Sequence, residues 1–178
     1  MNRSFFLASA VVLIQCLAAI GVNAQAADAT CIAMIKQTLP RADLPYRAEQ
    51  ELLVEGKTIK NLAVYIGGYI YVKPENSKWI RTQQPVDPKA VEALALETTR
   101  DCKLTGSEIV GGMKMNVWTV KSISPFDKSI TTSRTWIGAA DGRVYRQSAG
   151  GMEQRIYYDN VIKPEVEEGR RRSRSSNG

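Results

Sequence analysis

The chain has 178 residues, with 24 Lys and Arg against 18 Asp and Glu and a formal charge of +6; that length favours one folded domain. It contains no histidine, which excludes Ser-His and Cys-His nucleophile pairs and most zinc sites. Its Gly-Gly pairs are isolated between alternating runs, so they form neither a P-loop nor a dinucleotide fingerprint, and no basic, aromatic-rich strand motif points to nucleic acid.

The chain opens on the basic start Met1-Asn2-Arg3, an almost wholly apolar stretch over residues 5–22, and the small-residue pattern Ala24-Gln25-Ala26. This is the pattern of a secretory signal peptide over residues 1–27. Two alternatives are an uncleaved anchor, since the stretch approaches the ~20 residues needed to span a bilayer, and lipid modification at Cys16. The folded domain is expected over residues 28–164, followed by a charged tail, 165–178.

Thr30 can cap a helix over residues 31–39, which Pro40 ends. Cys31, Ile32, Ile35 and Leu39 fall near one face of it. Strands are predicted over 46–54 and 58–66, separated by a turn at Glu55-Gly56-Lys57. In the second of these, Leu62, Val64 and Ile66 share one face, and Ala63 and Tyr65 the other. Gly67-Gly68 reads as a two-residue hairpin turn into a strand over 69–73. Pro74-Glu75-Asn76 turns the chain again, and 78–82 gives a short strand carrying Trp79. The stretch "VDPKAVEALALETTRDC" then changes period. Asp87 can cap a helix with Pro88 at its first position, and Val91, Leu94, Ala95 and Thr98 recur at helical spacing.

A second β group is expected after Cys102: strands over 108–111 and 113–121 around Gly111-Gly112, a longer turn at 124–127, then 129–137, 143–148 and 152–159. Tight turns make consecutive strands antiparallel. The predicted fold is therefore α+β: a curved antiparallel β-sheet, a half-barrel of about nine strands, with two helices covering the concave face.

With the signal removed, Cys31 and Cys102 remain. In an oxidising compartment such a pair reads as a disulfide, worth roughly 4 kcal/mol in the chain-entropy model; two separate buried thiols are the alternative. Glu49 and Glu51 share a strand face but read as solvated residues rather than an acid–base pair. Glu165, Glu167 and Glu168 read as a charged chain end rather than a cation site. The tail "GRRRSRSSNG" cannot build a core. It is either a solubilising end or a weak electrostatic contact to an anionic surface. No catalytic residue, metal or cofactor is expected, and the chain is not read as an enzyme.

The aromatic residues gather in both β groups: Tyr65, Tyr69, Tyr71 and Trp79 in the first, Trp118, Trp136, Tyr145, Tyr157 and Tyr158 in the second. Ordinary strand packing accounts for such residues; so does an apolar cavity between sheet and helices. The pieces "VYIGGYIYVKPENSKWIR", "CKLTGSEIVGGMKMNVWTV" and "RTWIGAADGRVYRQ", followed by "YYDNVIKP", taken in order over residues 30–164, resemble the LolA/LppX-like superfamily of exported lipoprotein and lipid carriers. The resemblance implies a periplasmic or secreted binder of a lipid or acylated ligand, without catalysis. The alternative is an envelope module that packs its sheet on a partner protein. For the first reading, the residues expected to line the cavity are Leu62, Val64, Ile66, Ile70, Val117 and Trp136, with the reservation that one residue step of register exchanges the two faces.

Overall fold

The computed structural model describes residues 29–166; the signal-peptide reading of residues 1–27 and the arginines of the tail lie outside them. Among the described residues the elements run α1 (Ala29–Thr38), β1 (Tyr46–Val54), β2 (Lys57–Ile66), β3 (Tyr69–Lys73), β4 (Ile80–Arg81), α2 (Pro88–Thr98), β5 (Thr99–Val110), β6 (Met113–Ile123), β7 (Ile130–Gly138), β8 (Val144–Ala149) and β9 (Met152–Tyr157). The strands form a nine-stranded antiparallel sheet in the order β4-β3-β2-β1-β9-β8-β7-β6-β5. The α+β half-barrel expected from the sequence is the fold observed.

The turns set the registers. Gly67 and Gly68 both have positive φ, 60° and 81°, as a two-residue turn matched to strand twist requires, and Ile66 pairs with Tyr69 across them. Glu55-Gly56, Gly111-Gly112 and Gly150-Gly151 make equivalent closures, with Val54 opposite Lys57, Val110 opposite Met113 and Ala149 opposite Met152. Four turns of one kind thus fix four pairs of strands. Asp141-Gly142 belongs to a longer connection instead: the Gly142 amide donates to the Gly138 carbonyl at 2.9 Å, and the Gly138 amide to the Arg143 carbonyl at 2.8 Å.

In α1, Cys31, Met34 and Ile35 are buried, at the i, i+3, i+4 spacing of a single helix face. In α2, Asp87 accepts a hydrogen bond from the Lys89 amide at 2.9 Å, and Pro88 opens the helix; such a cap is worth ~1 kcal/mol. The main core lies between these helices and the sheet. It joins Cys31, Met34 and Ile35 to Ala48, Cys102, Val120, Ile137, Val144 and Ile156. A second cluster places Val91 of α2 and Val86 against Tyr65.

The connectivity explains the curvature. β4 and β5 are the two edges of the sheet, and α2 is the connection between them. The Val86 amide donates to the Gly68 carbonyl, so the chain leaves the β2–β3 turn there and reaches β5 at Thr99. In a flat sheet those points would lie about 30 Å apart at strand spacing. The 11 residues of α2 and their flanks extend only roughly 20 Å. The sheet must bend, and α2 lies across the bend as a chord.

Cys31 and Cys102 form a disulfide, with Cα atoms 5.1 Å apart. Cys102 does not follow α2 as a helix end, however. The sequence reading began the second β group after it, whereas β5 starts at Thr99, directly from the helix, and carries Cys102 in its first turn of pleat. Register shifts between Thr99 and Asp101 and between Leu104 and Gly106 break the alternation that would have marked a strand there. The expected strand over 78–82 is likewise shorter, only Ile80–Arg81.

Candidate functional site

The sheet has two faces and two rims. The upper rim carries the β2–β3, β5–β6 and β7–β8 turns; the lower rim carries the β1–β2, β3–β4, β6–β7 and β8–β9 turns. Near the upper rim, the inner face is covered by the helices and floored by tyrosines. Tyr46 stacks on Tyr65 at 5.4 Å, and Tyr158 meets Tyr46 and Tyr145 edge-on at 6.2 and 5.5 Å. The Tyr158 hydroxyl donates to the Val144 carbonyl at 2.9 Å. Burial, with Tyr65 alongside, pushes the Tyr46 phenol up to about 12, and burial raises that of Tyr158 as well. Among the described residues, the Tyr65 hydroxyl is buried without a hydrogen-bond partner.

Below the tyrosines the inner face changes character. Register pairs Asn61 with Gln50, Gln50 with Gln154, Gln154 with Gln147, and Gln147 with Thr135. This row of amides and one hydroxyl crosses five neighbouring strands. Gln50 donates to Gln154 at 3.1 Å, and Asn61 accepts from the Glu75 amide at 3.3 Å. The next row towards the lower rim is Ile59, Leu52, Met152, Ala149 and Ser133. All five are half-buried. Among the described residues the three apolar clusters do not include Leu52, Ile59 or Met152. The helix layer therefore leaves an apolar strip on the inner face, Ile59, Leu52, Met152 and Ala149, roughly 14 Å long at strand spacing and ended by Ser133, bordered by amides on one side and the lower rim on the other.

The outer face is built from charge and aromatic stacking. Trp136 packs with Met115 and Val117, under the guanidinium groups of Arg146 and Arg134, 4.3 and 4.7 Å from its ring. Its indole N–H donates to Glu108 at 2.8 Å. That bond above all, with Arg134 assisting, holds the Glu108 carboxyl below the usual carboxylate range. Arg146 pairs with Glu153, and Arg47 pairs with Glu49 at 2.9 Å while lying over the Tyr157 ring. A depression of about 20 Å³ lies between Glu49, Glu51, Glu153 and Arg155, room for about one water molecule. Among the described residues there is no group of three or more His, Cys, Asp or Glu placed to hold a metal ion.

The expected lining residues divide between these faces. Ile70 packs beneath α2 with Tyr65 and Val86 and is on the inner face. Leu62, Val64 and Ile66 alternate with Ala63 and Tyr65, which pack towards the helices, so all three lie on the outer face. Val117 and Trp136 pair with each other on that outer face, while Trp118 and Ile137 point to the core. Five of the six, Leu62, Val64, Ile66, Val117 and Trp136, thus stand one residue step from the face the sequence assigned, and Ile70 is on it. Residues 62–66 are apolar on both faces, so hydrophobicity does not rank them. Sequence reasoning missed Leu52, Ile59 and Met152. No local signal marks them, because the register shifts in the β5–β6 and β7–β8 pairings break any count of faces outward from Cys102.

The class that this arrangement defines is an antiparallel half-barrel whose two edges are joined by a helix across an incompletely covered inner face. Neither a protein-family model nor a curated protein matches the sequence. Among solved structures, the chain is similar to lipoprotein LppX of Mycobacterium tuberculosis, with a TM-score of 0.45 and 13% identity over 78% of this chain and 100% of that one. It is also similar to LprF from Mycobacterium bovis, with a TM-score of 0.47 and 6% identity over 81% of this chain and 100% of that one. At these values neither similarity assigns a family.

Proposed function

We propose that this protein is a non-catalytic binder of a lipid or other ligand with an acyl chain, working outside the cytosol. The observation that carries this reading is the strip of Leu52, Ile59 and Met152, half-buried on the inner face yet outside the apolar clusters beneath α1 and α2. An acyl chain laid along it covers apolar surface, and the Asn61–Gln50–Gln154–Gln147 row offers amide donors and acceptors to an ester or carboxyl head. The Cys31–Cys102 disulfide supports a non-cytosolic location, because such bonds persist in oxidising compartments.

The magnitudes are sufficient. Covering about 12 methylenes releases ~10 kcal/mol. At the low end of the association cost, ~4 kcal/mol, this leaves a dissociation constant in the tens of micromolar. The competing reading, a sheet face that docks on a partner protein, would gain from a displayed aromatic patch. Trp136 on the outer face is instead buried beneath Arg134 and Arg146.

Native mass spectrometry of protein purified from its own envelope tests the proposal. The expected result is a fraction of the protein carrying the added mass of a lipid, lost on organic extraction. Protein of bare mass, which also fails to take up any of a broad lipid panel, would overturn the reading.

A further inference from the structure

The lower rim carries large apolar side chains on its turns. Phe126 is 71% exposed, Ile130 69% and Leu53 60%, with Val54 beside Leu53. They sit on two connections, β1–β2 and β6–β7. The β8–β9 turn lies between these in the strand order and touches the first, since the Leu53 amide donates to the Gly151 carbonyl at 2.8 Å. The β6–β7 connection is firmly held. Ser124 Oγ accepts from the Phe126 amide at 3.3 Å, and Asp127 accepts from the Ser129 amide and hydroxyl at 3.2 and 2.8 Å. The Ser124 amide donates to the Ser129 carbonyl at 2.9 Å, and the Lys128 amide to the Ser124 carbonyl at 3.1 Å. Phe126 is thus displayed by an ordered loop, so inserting it elsewhere loses little conformational freedom.

We infer that the lower rim is a membrane-docking surface, which inserts Leu53, Val54, Phe126 and Ile130 into the interface of a lipid bilayer. The proposal rests on the acyl-ligand reading for its purpose but on separate residues for its evidence. Two features select a bilayer over a protein partner. The apolar groups stand at two separate strand ends and connections, β1–β2 and β6–β7, with the β8–β9 turn between them, an arrangement that a fluid interface accommodates. The open strip of Leu52, Ile59 and Met152 runs beside this same rim, so a chain could pass between bilayer and strip without crossing water.

The test uses tryptophan as a depth probe in the full chain, with the signal of the unsubstituted protein subtracted. Phe126→Trp puts the probe on the lower rim; Ile109→Trp puts it at an exposed site near the upper rim. Each is mixed with phosphatidylcholine–phosphatidylglycerol vesicles containing brominated acyl chains. The expected result is a blue shift and at least fivefold stronger quenching for Phe126→Trp than for Ile109→Trp. Adding Leu53→Ser and Ile130→Ser to the Phe126→Trp chain should raise the lipid concentration for half-quenching about tenfold. Equal quenching at both sites, stronger quenching at Ile109→Trp, or a Phe126→Trp shift produced by envelope proteins but not by vesicles would overturn the proposal. Failure of ligand uptake with rim quenching intact would sink the acyl-ligand reading alone.

Discussion

Single residues carry the most direct consequences of burial. Tyr46 and Tyr145 are each held at about 12, both chiefly by burial, against an ordinary value near 10. Their folded pKa values are raised, so the stability they confer is complete below pH 10 and is lost as pH rises towards 12, because the unfolded chain releases those protons first. The urea midpoint should therefore be level between pH 8 and 9.5 and fall steeply above 10; a midpoint unchanged at pH 11.5 would contradict the buried placement. Glu108 acts in the opposite sense. Its carboxyl is lowered, mainly by the Trp136 indole, so its contribution is present at neutral pH and lost as pH falls through its folded value. Glu108→Leu should shift the tryptophan emission at neutral pH while Glu108→Gln shifts it less. None of this was legible in the sequence, where Glu108 and Trp136 are 28 residues apart and join only through the pairing of β5, β6 and β7.

Elements were legible where local chemistry marks them and obscure where it does not. Asp87-Pro88 announced α2, and the Gly-Gly turns announced their hairpins, because few sequences tolerate those backbone angles. Gly142, with φ at +69° and the Gln37 side chain where a Cβ would go, follows the same logic. Gly142→Val should destabilise by ~1 kcal/mol or more, and an unchanged urea midpoint would show that the connection tolerates a side chain. The face of β6 was not legible. Counting back from Gly111-Gly112 without a bulge pairs Cys102 with Lys121 and turns Val117 inward; the shift between Leu104 and Gly106 pairs Cys102 with Val120 instead and turns Val117 outward. One extra residue in β5 thus inverts the reading of a whole strand. The disulfide ties α1 to this strand. Its loop spans 71 residues, so Cys102→Ser should lower stability by up to roughly 4 kcal/mol in the chain-entropy model, read as a lower melting temperature that reductant does not lower further.

At the scale of the whole molecule, order and curvature follow from connectivity. The first and second β groups each fold as a meander, β9 returns to pair with β1, and the edges are left for α2 to span. One short helix across a bent sheet cannot cover all of its inner face, and the uncovered part falls towards the lower rim, at Leu52, Ile59 and Met152. Ligand binding on this strip is tested at Ile59 and Leu62, which lie on one strand, β2, three residues apart and on opposite faces. A fluorescent fatty acid is titrated into the unsubstituted protein, Ile59→Glu and Leu62→Glu, with circular dichroism confirming the same β content in each. An inner-face site predicts at least a tenfold loss of affinity in Ile59→Glu and a change within twofold in Leu62→Glu; undiminished binding by Ile59→Glu, or a loss confined to Leu62→Glu, would contradict it.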